Sequence, residues 1–86
     1  MLRKEIEITN KTGLHARPAA EFVKEASKFA SSVTIEFKGK KLNAKSILHV
    51  LSAGISAGST IVLATDGEDE TTALETLAEL IVNFKE

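Results

Sequence analysis

Residues 2–20 read Leu2-Arg3-Lys4-Glu5-Ile6-Glu7-Ile8-Thr9-Asn10-Lys11-Thr12-Gly13-Leu14-His15-Ala16-Arg17-Pro18-Ala19-Ala20, and the chain continues Glu21-Phe22-Val23-Lys24-Glu25-Ala26-Ser27-Lys28-Phe29-Ala30. The apolar period changes inside this stretch. Leu2, Ile6 and Ile8 share one parity and Arg3, Glu5, Glu7 and Thr9 the other, which predicts a half-buried strand with Lys4 as its one exception. Asn10 to Gly13 are turn residues and end it. From Ala16 onward Ala16, Ala19, Ala20, Val23, Ala26 and Ala30 recur at helical spacing, with Phe22 and Phe29 beside them. This predicts a helix of about three turns that stops near Lys28.

Outward from there, Val33, Ile35 and Phe37 alternate with Thr34, Glu36 and Lys38 to make a second strand. Lys38-Gly39 is a tight turn, and Lys40 to Asn43 returns as a short polar third strand. Ser46 is a good N-cap for one to two helical turns over Ile47 to Leu51, stopped by Gly54. Thr60 to Thr65 is a fourth, β-branched strand, closed by Asp66-Gly67. Ala73, Leu74, Leu77, Ala78, Ile81 and Phe84 then mark a last helix, with acids in its first turn as the positive end of a helix dipole prefers. The order is β-α-β-β-α-β-α, an α+β pattern. One apolar parity per strand predicts a sheet with one wet face and the helices on the other, around a split βαβ crossover.

The 86 residues fit one domain spanning 1–86, able to bury roughly 60 to 65% of its unfolded surface. Apolar residues at 43% and charged residues at 27% describe an ordinary globular chain rather than a disordered one. Zero Cys removes thiolate nucleophiles, thiolate metal sites and disulfides together. The longest apolar run, Ile61 to Ala64, is far short of the ~20 residues a membrane span needs, and the start has no secretory apolar region. The expected compartment is the cytoplasm, with no membrane insertion.

The net charge of −1 hides an asymmetry: residues 1–45 carry ten basic and five acidic groups, net +5, and residues 46–86 one basic and seven acidic, net −6. With four Phe and no Tyr or Trp, the basic half offers little stacking surface to nucleic acid. An acidic protein partner or a phosphate suits it better.

Neither His has metal-ligand spacing, and no metal or cofactor is expected. His15 stands out by context, in Gly13-Leu14-His15-Ala16-Arg17-Pro18, where a strand has ended, Gly13 permits a sharp turn and a helix begins. Pro18 suits a first helical turn because N–H groups there have no helical acceptor. A helix N-terminus attracts anions, and the Arg17 guanidinium matches phosphate oxygens. A neutral imidazole at this place can attack phosphorus, and the same donors then offset the charge of the attached group. No carboxylate adjoins the His, no Ser or Cys nucleophile precedes it, and no Walker-type loop is present. The pattern fits a carrier of a phosphoryl group better than a hydrolase or kinase.

These residues resemble the active-site signature of HPr, the histidine-containing phosphocarrier family of the phosphoenolpyruvate-dependent sugar phosphotransferase system. Lys45-Ser46-Ile47 followed by Ser52-Ala53-Gly54 is similar to that family's second signature, around a regulatory serine. The resemblance covers the whole chain. It implies an open-faced β-sandwich, with a four-stranded antiparallel sheet in the order 1-4-2-3 and three helices on one face. It implies a stoichiometric carrier rather than an enzyme: enzyme I, phosphorylated by phosphoenolpyruvate, passes its phosphoryl group to Nδ1 of His15, and His15 passes it to EIIA domains of sugar transporters. Arg17 carries over as the phosphate-stabilising residue and Pro18 as the shaper of the helix start. Ala20, Ile47, Leu48 and Leu51 carry over as the apolar patch that docks both partners, beside a basic rim of Arg17 and Lys24. His49 stands where the family most often has Gly, and Leu48 and Leu51 where Met is common. A monomer is the family expectation.

Ser46 has two compatible readings. Sequence alone favours an N-cap; the resemblance implies phosphorylation by an HPr kinase/phosphorylase and, with it, a catabolite-control regulator as partner. His49, one turn on, reads as a solvated helix residue. The resemblance also leaves other functions open. A paralogous carrier of a nitrogen-regulatory phosphorelay would share His15. A purely regulatory HPr-like module typically lacks that His. An acyl-phosphate hydrolase would place its Arg and loop to activate water. A KH-like RNA binder needs a G-x-x-G loop, whereas Gly54 to Gly58 is G-x-x-x-G.

Overall fold

In a computed structural model that describes residues 1–84, the elements follow the expected order: β1 (Leu2–Glu7), α1 (Ala16–Ala26), β2 (Ser32–Phe37), β3 (Lys40–Asn43), α2 (Ile47–Ser52), β4 (Thr60–Asp66) and α3 (Glu70–Val82). The strands form one antiparallel sheet in the order β1-β4-β2-β3. The three helices cover one face, where Ile6, Val33, Ile35, Ile61 and Leu63 meet Phe22 of α1, Val50 of α2 and Leu77 of α3 in a single buried cluster. Arg3, Glu5, Glu7, Thr34 and Glu36 take the other parity, as the period of 2 requires.

The central strand departs from the expectation of a one-sided apolar pattern. Ala64 lies on the open-face parity and is nonetheless buried, and Val62 is half-buried there. Arg3 of β1 pairs with Glu36 of β2 at 2.8 Å, spanning β4 between them. Their aliphatic stems shield the small residues beneath, so a wet face made of long charged side chains still excludes water from the middle strand.

Two helix ends also differ. The regular part of α1 stops at Ala26, two residues early, because the chain tightens: Lys28 N–H donates to Glu25 C=O and Phe29 N–H to Ala26 C=O, i to i−3 bonds. Of the apolar positions read from its spacing, Ala19 and Ala26 are buried, whereas Ala16, Ala20 and Ala30 face solvent. At α3, Asp69 is the N-cap residue but makes no capping bond. Its carboxylate reaches back to accept from Ala30 N–H and Ser31 N–H, each at 2.9 Å, and from the Ser31 hydroxyl. The acid expected to serve the helix dipole instead ties α3 to the start of β2.

Candidate functional site

The loop from β1 to α1 is built on backbone bonds to the segment that precedes β4. Ile8 N–H donates to Ser59 C=O, Gly58 N–H to Ile8 C=O, and Leu14 N–H to Ile55 C=O. Gly13 makes this approach possible. Its φ is +65°, and a Cβ there would sit 2.4 Å from the Ile55 carbonyl oxygen and 2.7 Å from the Ser56 Cα. The Asn10 side-chain amide donates to Gly13 C=O at 2.9 Å and closes the turn. Leu14 and Ile55 are both buried, so the chain is pinned one residue before His15.

His15 is the N-cap residue of α1, extended at φ −121° and ψ 155°, with no capping bond from its side chain. Among the described residues its imidazole makes no hydrogen bond or ion pair, and it is exposed. Ala16, the first helical residue, has φ +37°, a left-handed value that costs a residue with a Cβ about 1–2 kcal/mol. Pro18 is buried in the first turn, where its missing N–H costs nothing. Ala19 N–H closes that turn on His15 C=O at a long 3.5 Å. The positive end of α1 is therefore presented beside an exposed imidazole. Arg17 is exposed on the same turn.

The other candidate residues gather on one shoulder, because α1 and α2 pack against each other. Arg17, Ala20 and Lys24 lie at i, i+3 and i+7 along α1 and are all exposed. On α2, Leu48 is 73% exposed and Leu51 36%, while Ile47 is half-buried against the core. Two exposed leucines on a six-residue helix form an apolar shelf with a basic margin. Ser46 caps α2, its hydroxyl accepting from His49 N–H at 3.4 Å. His49 is exposed as expected, yet its side chain is tied down: Nδ1 accepts from Asn43 N–H at 3.4 Å, at the end of β3. No group of His, Asp and Glu among the described residues is placed to hold a metal ion. None of the described helices is long and apolar enough to cross a membrane.

A family model described as the PTS HPr component phosphorylation site matches residues 2–83. The chain belongs to the HPr family. It is 53% identical over 81 residues to the HPr-like protein Crh of Halalkalibacterium halodurans, covering 94% of this chain and 96% of that one. It is 44% identical to the phosphocarrier protein HPr of Buchnera aphidicola subsp. Acyrthosiphon pisum, covering 99% and 100%. Its structure is similar to that of HPr-C-His from Thermoanaerobacter tengcongensis, with a TM-score of 0.93 and 51% identity over 95% and 92% of the two chains. A Bacillus subtilis Crh structure, 46% identical with a TM-score of 0.78 over 100% and 99%, is a dimer formed by domain swapping. The HPr fold, sheet order included, is thus what the sequence resemblance implied. Not visible in the sequence were the buried contact that demands Gly13, the left-handed Ala16 and the link from His49 to β3. Gly13 itself was the only signal of the first.

Proposed function

We propose that this HPr-family protein carries a phosphoryl group on Nδ1 of His15 between enzyme I and EIIA domains of sugar transporters. As the bond from phosphorus to enzyme I breaks, the imidazole lone pair forms a P–N bond. The reverse exchange on an EIIA domain regenerates free His15, so the protein is consumed and restored as a carrier. The observation that carries the reading is the exposed, unbonded imidazole of His15 at the positive end of α1. First-turn N–H groups and the Arg17 guanidinium supply charge-assisted bonds to the phosphoryl oxygens, and Pro18 shapes that turn. Ala20, Ile47, Leu48 and Leu51 give both partners an apolar seat, and Lys24 extends the basic rim toward acidic partner surfaces. The protein acts as a single-domain monomer in the cytoplasm.

Similarity to Crh, the catabolite repression HPr of Bacillus subtilis, suits a second, regulatory layer, for which Ser46 is the candidate. A phosphate there would stand at the start of α2, beside the leucine shelf, and oppose docking of an acidic partner while it suits a kinase and a catabolite-control regulator. A purely regulatory module would not need His15.

The deciding experiment is intact mass after incubation with enzyme I and phosphoenolpyruvate. One phosphoryl group, acid-labile and base-stable, is expected on the wild type and none on His15→Ala. Phosphorylation of His15→Ala by enzyme I would overturn the assignment. A nitrogen-regulatory role would instead show as transfer to an EIIA of that relay in preference to sugar-specific ones.

A further inference from the structure

Away from His15, a groove of about 310 Å³ opens between the β2–β3 hairpin and the last turn of α2. Its floor is apolar: Phe37 at the end of β2, Leu42 of β3, and Ala53 at the C-cap of α2. Leu42 and Ala53 are only half-buried, so apolar surface is left open to a ligand. The rim is cationic, formed by Lys38 and Lys40, both exposed, whereas Lys41 borders the groove from the open-face parity it shares with Glu36, and among the described residues no carboxylate lines it. The nearest acid in register, Glu36 opposite Lys41, is held by Arg3 on the open face of the sheet. Lys38 already shows what the floor can do, its ammonium resting 5.2 Å from the Phe37 ring centroid. His49 walls the groove. Because its Nδ1 accepts from Asn43 N–H, the neutral ring carries its proton on Nε2 and offers a donor there.

We propose that this groove binds a small organic anion with a flat apolar body, the body on Phe37, Leu42 and Ala53 and the charge between the ammonium groups of Lys38 and Lys40. The size admits one ring and its anionic substituent and sits at the small end of ligand pockets. A bare inorganic anion would leave the apolar floor unused, and a neutral ring would leave the lysines unused. The inference does not rest on phosphoryl transfer, since none of these residues takes part in it.

Phenyl phosphate is the probe, followed by amide chemical shifts of the whole protein, with inorganic phosphate and benzyl alcohol as the charge-only and ring-only controls. Saturable shifts are expected at Phe37 to Leu42, His49, Ser52 and Ala53, with clearly weaker responses to either control. Lys38→Gln with Lys40→Gln should weaken binding about fivefold, as loss of two exposed charge contacts predicts. His15→Ala should leave it unchanged, which separates failure here from failure of the carrier role. Shifts confined to His15 to Arg17, an equal response to inorganic phosphate, or unchanged affinity in the double variant would each overturn the proposal. An acidic peptide with one phenylalanine that bound tenfold tighter than phenyl phosphate would also overturn it, assigning the groove to a protein partner.

Discussion

The two ends of β4 are held in opposite ways. Where Thr60 faces Glu7, the neighbouring loops are joined mainly through backbone, and among the described residues the His15 side chain is left without a bond. Where Thr65 faces Leu2 and Asp66 faces Ser32, side chains do the joining. Asp69 gathers three donors from Ala30 and Ser31, the Thr65 hydroxyl donates to Glu70 C=O at 2.8 Å, and Gly67 N–H donates to the Glu70 carboxylate at 3.1 Å. The order around His15 comes mainly from main chain, with the Asn10 amide as a side-chain brace on Gly13.

The largest test of this contrast is Gly13→Ala. Adding one carbon collides with the Ile55 carbonyl and forces a left-handed alanine, at a cost of about 2–4 kcal/mol from strain and overpacking together. Chemical unfolding would measure it. Phosphorylation of the remaining folded protein should slow as well, because the same contact sets where His15 stands. A variant as stable as the wild type would show that the loop does not depend on this approach.

Asp69→Asn probes the other end and should separate stability from function. Ala30 and Ser31 donate to different carboxylate oxygens, and asparagine keeps only one acceptor oxygen, so one of the two N–H groups must face an amide nitrogen that cannot accept; the melting temperature should fall by several degrees while transfer to His15 is unchanged. The pH dependence has a definite sign. The Ser31 hydroxyl, then the Ala30 and Ser31 N–H groups, hold Asp69 below its ordinary value of 3.8. Its contribution is therefore complete above that value and is lost as pH falls through the lower folded value. Wild type and variant should converge in stability on acidification. A gap that stayed constant into acid would mean that the bonds do not depend on the carboxylate charge.

How much of this contrast the sequence discloses follows from the range of each interaction. The strands and the start of α1 are legible because a period of 2 or 3.6 is a local property, and His15 is legible because Gly13, Arg17 and Pro18 stand within three residues of it. Asp69 looks like an ordinary helix-start acid, since nothing local says that its partners lie 38 and 39 positions earlier. Ala64 looks like a solvent-facing position until the Arg3–Glu36 pair is seen to cross it. The left-handed Ala16 is hidden for a different reason, because only Gly, and occasionally Asn or Asp, adopts that conformation routinely and alanine gives no sign of it.

Arg17→Ala tests whether the His15 end is organised for charge. The side chain is exposed, so stability should change by no more than about 0.5 kcal/mol. Transfer from enzyme I should slow about tenfold or more, as expected for loss of a charge-assisted contact to phosphate. Unchanged transfer kinetics would leave the helix end alone to hold the phosphoryl group.

The finest test is Ser46→Asp, which alters charge next to the docking shelf without disturbing either end of β4. Aspartate caps a helix as well as serine does and its charge suits the positive end of α2, so the melting temperature should hold or rise slightly. Transfer from enzyme I should nevertheless slow, because a negative charge now borders Ile47, Leu48 and Leu51, the proposed seat of an acidic partner. Stability and transfer would then move apart. Kinetics at two salt concentrations identify the cause, since a charge effect at an exposed rim shrinks as ionic strength rises, whereas a misplaced helix would be equally slow in both. A variant that melted several degrees lower and lost transfer in proportion would make Ser46 a cap and nothing more, and the shoulder would then owe its order to side chains after all.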